Sequence, residues 1–467
     1  MIFHRKINLD YVALFFVVTI GLVARTYDIN YNFDVDEIFS VNLAVKNFSD
    51  VIADSLKDRT HPPLHNILLH FWLLFFGASE AAARSLSVFV SGFFLIFSFL
   101  FLRNLCDKWV AIGVLLIFAI SPYFVFYGQQ ARPYALIALL SSANILFFLS
   151  LLDEPARRSY LVCWACSCAL LLHTQYMGVF LIGSEMLVAW VFLPRHRWSV
   201  TAWGAAGCAC VIPWVVAAMG ASVAAGVDPI HHINWLQAPT LYTFMRFYAS
   251  ILGTTWWLFE HIWLVVSILI ILVGMCAGSC LKERTIPPGH VLLFLMGFVF
   301  PVAVFAVSVL GPKPLFLARQ LIGAAIAAVA GLGVCLTLYR RPLALGFLVL
   351  VAVWILRAVP ESYRLAGARP PWKEMAEFID AAYGSRELLT VENWVRNSIE
   401  FYRQGGPVRK VSDVSEVGDG ALLLCRQSNC PDTDGDAAQV ELVEKKTLDW
   451  RGEFYGEKLL LFESRRR

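Results

Sequence analysis

Charge is what this sequence has least of. Only 16% of its 467 residues are Asp, Glu, Lys or Arg, against about 25% in an ordinary soluble domain, while 58% are hydrophobic. That balance excludes a soluble globular protein and predicts an integral membrane protein. The net charge of +3 is small and no long Lys/Arg run is present, so a nucleic-acid partner is not expected. The apolar runs are almost free of Asp and Glu, Glu185 being the clearest exception, and no internal repeat is visible. A secondary transporter usually places ionisable residues near the bilayer midplane on broken, repeated helices, so both absences count against one. The eleven cysteines lack a disulfide or zinc spacing, and nine lie in or beside apolar runs as small hydrophobes. No small-residue cleavage site follows Met1 to Lys6, so the first apolar run reads as a signal anchor.

A helix needs roughly 17 to 25 mostly apolar residues to cross a bilayer. Runs of that kind predict eleven spans, near 9–25, 84–103, 109–126, 134–152, 160–175, 178–193, 200–219, 261–280, 290–309, 317–338 and 342–358. The apolar stretch 63–76 is too short to be a twelfth. If it stays on one side, the pairs Arg5/Lys6, Arg103/Lys108, Arg157/Arg158, Arg195/Arg197, Lys282/Arg284 and Arg340/Arg341 all gather on the cytoplasmic side, as the positive-inside rule requires. If it crosses, all but the first pair move outside. The stretch therefore reads as a helix lying on the outer surface, with His65, Asn66 and His70 as its polar side chains. This topology makes the chain a multi-pass plasma (inner) membrane protein with a cytoplasmic N-terminus.

The expected organisation is a transmembrane catalytic domain, 1–358, followed by a small extracytoplasmic α/β domain, 359–467. The first outer loop, 26–83, carries two juxtamembrane helices: 36–57, with Ile38, Val41, Val45, Phe48 and Ile52 on one face, and 63–76. A second large outer loop, 220–260, is rich in aromatic and polar residues, among them His231, His232, Asn234, Trp235, Tyr242, Arg246, Tyr248, Trp256 and Trp257. In the tail, 373–383 and 394–404 read as helices, and 387–392, 421–426, 441–447 and 458–462 as strands. Cys425 and Cys430, the two cysteines in polar sequence, could pair in an oxidising exterior.

Every outer connection carries polar or ionisable residues close to the membrane face. Asp34, Asp36 and Glu37 open the first loop's helix, and His61-Pro62-Pro63-Leu64-His65 follows. Tyr127, Gln130, Arg132 and Tyr134 come after the third span, His173, Gln175 and Tyr176 after the fifth, and Lys313 and Arg319 after the ninth, with Arg319 about one turn into the next helix. Ionisable residues at membrane depth are costly and mark cavities or partners. Carboxylates on one loop and cations on others fit a transfer reaction with an anionic leaving group at the surface. A lipid-linked phosphate suits it: Arg132, Arg319 and Lys313 would hold the phosphate, and Asp36 or Glu37 would act as general base on the acceptor. The helix dipole alone would also favour these carboxylates.

Asp36-Glu37, His61-Pro62-Pro63-Leu64, Gln130-Ala131-Arg132-Pro133-Tyr134 and Arg319, in that order, resemble the GT-C glycosyltransferases of the protein mannosyltransferase and aminoarabinose transferase type over residues 9–358. The resemblance implies a polyprenyl-phosphate-linked sugar donor and inverting transfer to a lipid, glycan or protein acceptor on the outer face. It puts the acidic pair on Asp36 and Glu37, an arginine on Arg132 and the late phosphate-binding residue on Arg319. Where the aminoarabinose enzymes have lysine before their proline, this chain has His61-Pro62, which points to a different sugar or phosphate contact. His61 and His65 could also share a divalent metal with Glu37 or His231. The competing reading is a secondary transporter or another lipid-binding membrane protein without glycosyl transfer.

Overall fold

The computed structural model describes residues 9–58, 61–226, 238–252, 287–311, 313–337, 340–367, 371–411, 417, 419–430, 440–450 and 457–466. The expected span 261–280, the Lys282/Arg284 pair, and His231, His232, Asn234, Trp235, Trp256 and Trp257 lie outside these residues. The chain divides into two compact units: Met1–Ile29 with Leu43–Ser362, and Asn30–Asn42 with Tyr363–Arg467. The expectation put 359–467 by itself; the division falls at 362/363 and adds 30–42 to the C-terminal unit.

The first unit is helical: α1 (Leu9–Thr26), α3 (Phe48–Lys57), α4 (Leu64–Phe76), α5 (Glu80–Leu105), α6 (Lys108–Ile120), α7 (Pro122–Gln129), α8 (Tyr134–Asp153), α9 (Arg158–Leu172), α10 (Gly178–Phe192), α11 (Arg197–Ala209), α12 (Ile212–Ala224) and α13 (Leu241–Ile251), then helices at Pro288–Leu310, Ile322–Leu336 and Arg341–Gly367. Helix α2 (Val35–Ala44) runs from the second unit into the first. Among the described residues four helices are long and apolar enough to cross a membrane: α5, α8, Arg197–Ala224 and Pro288–Leu310. The pair α6–α7 passes together with a 55° bend.

Proline accounts for these breaks. Pro122 opens α7, and Pro213 falls in the first turn of α12. Within Pro288–Leu310 a π turn occupies Leu295–Val299 just ahead of Pro301. Proline has no N–H for the carbonyl four residues back, here that of Gly297, and the Tyr248 hydroxyl donates to that carbonyl at 2.7 Å instead.

The expected helix 36–57 is two helices, α2 and α3. Asn47 interrupts it with extended backbone, φ −60° and ψ 149°, as Asn favours cap conformations over helix interiors. Helix α4 has 13 residues and stops at Gly77, whose φ of 79° is left-handed. At 1.5 Å per residue it spans about 20 Å, short of the roughly 30 Å hydrocarbon core.

The α6–α7 bend is held by a residue of α1. Arg25 is fully buried; its Nη1 donates to Gly21 O at 2.9 Å and Ala119 O at 3.0 Å, and its Nη2 to Phe118 O at 3.0 Å and Phe124 O at 3.2 Å. The last carbonyls of a helix lack intrahelical partners, and a cation there also meets the negative end of the helix dipole. Gly128 makes the approach possible: a Cβ there would lie 2.6 Å from Arg25 Nε and 2.9 Å from Ser91 Oγ.

In the C-terminal unit five strands run in the order β2-β1-β3-β5-β4: β1 (Leu388–Thr390), β2 (Val408–Lys410), β3 (Leu422–Arg426), β4 (Val440–Trp450) and β5 (Glu457–Arg466). Strand β1 pairs parallel with β2 and β3, while β5 pairs antiparallel with β3 and β4. Helices Trp372–Tyr383 and Asn393–Tyr402 complete the unit, and Cys425 is disulfide-bonded to Cys430. Cys335, expected to act as a small hydrophobe, is also disulfide-bonded. The 30–42 segment is tied to this unit by the Phe33 N–H, which donates to the Tyr402 hydroxyl at 2.7 Å, and by an edge-on Phe33–Phe401 contact.

Glu392 is gripped by Arg426 (2.7 and 2.9 Å), Asn429 and Trp394. Burial raises its pKa, but these donors outweigh burial and leave the carboxyl below its ordinary 4.5. A depressed carboxylate stabilises the fold above its unfolded pKa and loses that contribution as pH falls through its folded value. The Tm of the full chain is therefore expected to be lower in Glu392→Gln than in the native protein at pH 7, and the gap to close below about pH 4. For the bend, Arg25→Leu is expected to lower unfolding free energy by about 3 kcal/mol, measured by denaturation in detergent, with Gly128→Ala shifting it in the same direction by less.

Candidate functional site

Arg132 sits where α7 gives way to α8, and the backbone leaves it little freedom. The Gln130 carbonyl accepts from the Arg132 N–H at 2.7 Å and from the Ser87 hydroxyl of α5. The Gln129 amide of α7 donates to Tyr27 O at 2.9 Å, and Pro133 caps α8. The Arg132 side chain is only 6% exposed, and its Nη2 lies 3.4 Å from Nδ1 of His61. Guanidinium cannot accept a hydrogen bond, so in this contact Nδ1 is the unprotonated nitrogen. Asp58 Oδ2 stands 3.6 Å from the same Nδ1, too long for a hydrogen bond but close enough for electrostatic attraction to any charge on the ring.

His65, on the first turn of α4, is 3% exposed, and among the described residues neither of its ring nitrogens has a partner within hydrogen-bond distance. Burial first, then the positive charge of Arg132 and, when it is protonated, of His61, push its pKa down to about 3. The ring is neutral at physiological pH. Leaving such a group unsatisfied costs about 1–3 kcal/mol.

Helix α4 is anchored around these residues. The Leu64 N–H donates to His173 O at 3.0 Å, Asn66 donates to Ser55 Oγ at 3.0 Å, and His70 Nδ1 meets Ala44 O at 2.8 Å. Its outward residues, Phe71, Leu74, Phe75 and Phe76, are exposed and apolar. Tyr176 is half-buried; burial raises its phenol pKa, and the negative charge of Asp58 adds to the rise. Asp58, His61 and Arg132 thus form one group within the first unit, with His65 four residues after His61 on α4.

The other expected residues fall elsewhere. Tyr127 and Tyr134 stack edge-on at 5.0 Å, with Tyr123 4.9 Å from Tyr127, beside a cavity of about 10 Å³, enough for one water. The His173 ring is tied back to Ala169 O of its own helix at 2.8 Å. Arg319 does not lie a turn inside a helix: it occupies a 3₁₀ turn, Ala318–Gln320, ahead of Ile322–Leu336. Two expected residues or their neighbours hold that turn, since the Tyr123 hydroxyl donates to Ala318 O at 2.7 Å and the Gln175 amide to Gln320 O at 3.3 Å. Lys313 is half-buried in the connection before it, and Gln130 is buried.

Asp36 and Glu37 belong to the second unit's 30–42 segment. Glu37 is buried, and its Oε2 accepts from the Asp34 N–H at 3.0 Å, the reach-back half of a helix capping box. Asp36 is half-buried in the same first turn. Sequence reasoning missed Asp58, although its spacing of three from His61 was a usable signal. Among the described residues no three His, Cys, Asp or Glu side chains gather as metal ligands. The guanidinium beside His61 would repel a divalent cation at the His61/His65 pair, so these residues do not fit a metal.

A family model for dolichyl-phosphate-mannose-protein mannosyltransferase matches residues 60–220, the segment that runs from His61 through Arg132 to α12. A search of curated proteins finds no match. Among solved structures, ArnT from Cupriavidus metallidurans bound to undecaprenyl phosphate superposes with a TM-score of 0.62 at 14% identity, covering 98% of each chain. The chain has the same fold as that ArnT structure. The apo oligosaccharyltransferase of Archaeoglobus fulgidus is similar too, with a TM-score of 0.52 at 13% identity over 86% of this chain and 65% of that one. Among the expected and observed residues, the matched segment contains His61, His65, Tyr127, Gln130, Arg132, Tyr134, His173, Gln175 and Tyr176, but not Asp36, Asp58, Lys313 or Arg319.

Tyr123→Phe tests how the Arg319 turn is held. Removing the hydroxyl is expected to cost about 1 kcal/mol and to speed hydrogen exchange of the 318–321 amides without altering those of α8, as read by mass spectrometry.

Proposed function

We propose that the protein is a membrane glycosyltransferase that moves a sugar from a polyprenyl-phosphate donor to an acceptor. The observation that carries this reading is the buried Arg132 guanidinium, fixed at the α7–α8 junction beside His61 within the segment that matches the mannosyltransferase family. A buried cation needs partners for its donors, and guanidinium matches phosphate with two parallel hydrogen bonds. ArnT, the similar solved structure, is bound to undecaprenyl phosphate.

In this mechanism Arg132, helped by Arg319 and Lys313, holds the donor phosphate and stabilises the negative charge that grows on it. The acceptor oxygen attacks the anomeric carbon from the face opposite the phosphate. The bond from carbon to phosphate oxygen breaks, its electron pair leaves with the polyprenyl phosphate, and the acceptor proton passes to a carboxylate. Attack from the opposite face inverts the anomeric centre. Asp36 is the preferred base because Glu37 already caps its own helix. Under the expected topology this happens on the extracytoplasmic face of the plasma membrane, with a lipid, glycan or protein acceptor.

The test is transfer by the full-length protein in nanodiscs, given a panel of undecaprenyl-phosphate sugars and crude envelope acceptors. Asp36→Asn is expected to slow transfer by about 10²- to 10⁴-fold with donor binding kept, and Arg132→Ala to weaken donor binding. Unchanged transfer in Asp36→Asn removes it as the base, and no binding of any donor by the native protein overturns the assignment.

A further inference from the structure

We infer that His65 is the residue that reads the donor sugar, by hydrogen bonding a ring hydroxyl next to the phosphate held by Arg132. This rests on the glycosyl-transfer reading and deepens it. A buried imidazole with both nitrogens unpartnered is a standing pair of hydrogen-bonding groups, one N–H donor and one lone-pair acceptor. Arg132 makes a contact with His61, and the Asn66 amide donates to Ser55 Oγ.

The chemistry of the pair selects its ligand. A phosphate ester at neutral pH offers only acceptors, so it can satisfy the N–H and leaves the second nitrogen orphaned. An ammonium offers only donors, and the positive charge of Arg132 close by disfavours it. A hydroxyl both donates and accepts, so a sugar hydroxyl can meet whichever ring nitrogen faces it, the N–H or the lone pair. The position fits as well. A sugar esterified to the phosphate is carried within a few bonds of whatever binds that phosphate, and His65 follows four residues after His61, whose ring lies 3.4 Å from Arg132. Burial and the positive charge of Arg132 keep the ring neutral, so a contact of this kind persists across the physiological pH range.

The geometry therefore assigns specificity at this point to a neutral hydroxylated sugar, with His65 as a specificity-determining residue rather than a phosphate ligand. The experiment compares binding of undecaprenyl phosphate alone with binding of undecaprenyl-phosphate hexoses and pentoses, including deoxy analogues, by the full-length protein in nanodiscs. His65→Leu removes both groups, and His65→Asn keeps a donor and an acceptor. The expected result is that both variants bind bare undecaprenyl phosphate within about twofold of the native protein. His65→Leu should lose about tenfold in affinity for the preferred sugar donor, His65→Asn should lose less, and one deoxy analogue should bind poorly to the native protein yet be indifferent to His65→Leu. His65→Leu is also expected to melt at or above the native temperature, because the orphaned nitrogens are gone. In His65→Leu, equal loss of the bare lipid phosphate or no change in donor affinity, or a native protein that prefers no sugar donor to bare lipid, would each overturn the inference while phosphate binding by the native protein still stands. Failure of the native protein to bind even bare undecaprenyl phosphate would instead bring down the function on which it rests.

Discussion

The first unit depends on a cation that never meets the solvent. Arg25 reaches from α1 into the open carbonyl end of α6 and into α7, and it converts a proline-broken apolar stretch into a bend of fixed angle. Everything that follows α7 inherits that angle: the Gln129 and Gln130 contacts, the orientation of Arg132, and the start of α8. A cation bonded to several carbonyls holds a direction better than apolar packing does, because hydrogen bonds constrain angle as well as distance.

The same economy of backbone capture recurs. The Tyr248 hydroxyl takes the carbonyl that Pro301 cannot, Tyr123 and Gln175 hold the turn that carries Arg319, and the His173 carbonyl holds the first N–H of α4. In hydrocarbon an unpaired backbone group has no water to turn to, and these departures from regular helix are met by groups from other parts of the chain. These departures lie beside the residues with chemistry, where irregular backbone gives side chains directions that straight helices cannot.

Much of this was legible from residues alone. The helix over 64–76 followed from its prolines, its apolar length and Gly77, and the tail's helices and four of its strands followed from period and composition, because those elements carry apolar residues in a pattern. Strand β2, Val408-Arg409-Lys410, is as short as β1 but mostly charged, and shows none. The 36–57 region was misjudged because its apolar period runs through Asn47 unbroken, while the backbone there does not. Arg319 was placed inside a helix since hydropathy does not distinguish a 3₁₀ turn from the helix it precedes. Arg132 and His61 were visible as polar residues at apolar borders. Asp58 was not, because an acid near the end of an amphipathic helix looks like any solvated one, and Arg25 looked like the end of a span. What no pattern reveals is whether a polar group has a partner, and that is the property that distinguishes His65.

Gly128 carries an implication for the way such sequences drift. With Arg25 Nε and Ser91 Oγ packed where its side chain would be, position 128 has no independent history: a methyl group there demands a shorter residue at 25 or a smaller one at 91. In sequences that keep this bend the three positions should therefore change as a set, so a lineage that exchanges the glycine for alanine should carry its compensation upstream, at 25 in the first helix or at 91 in α5.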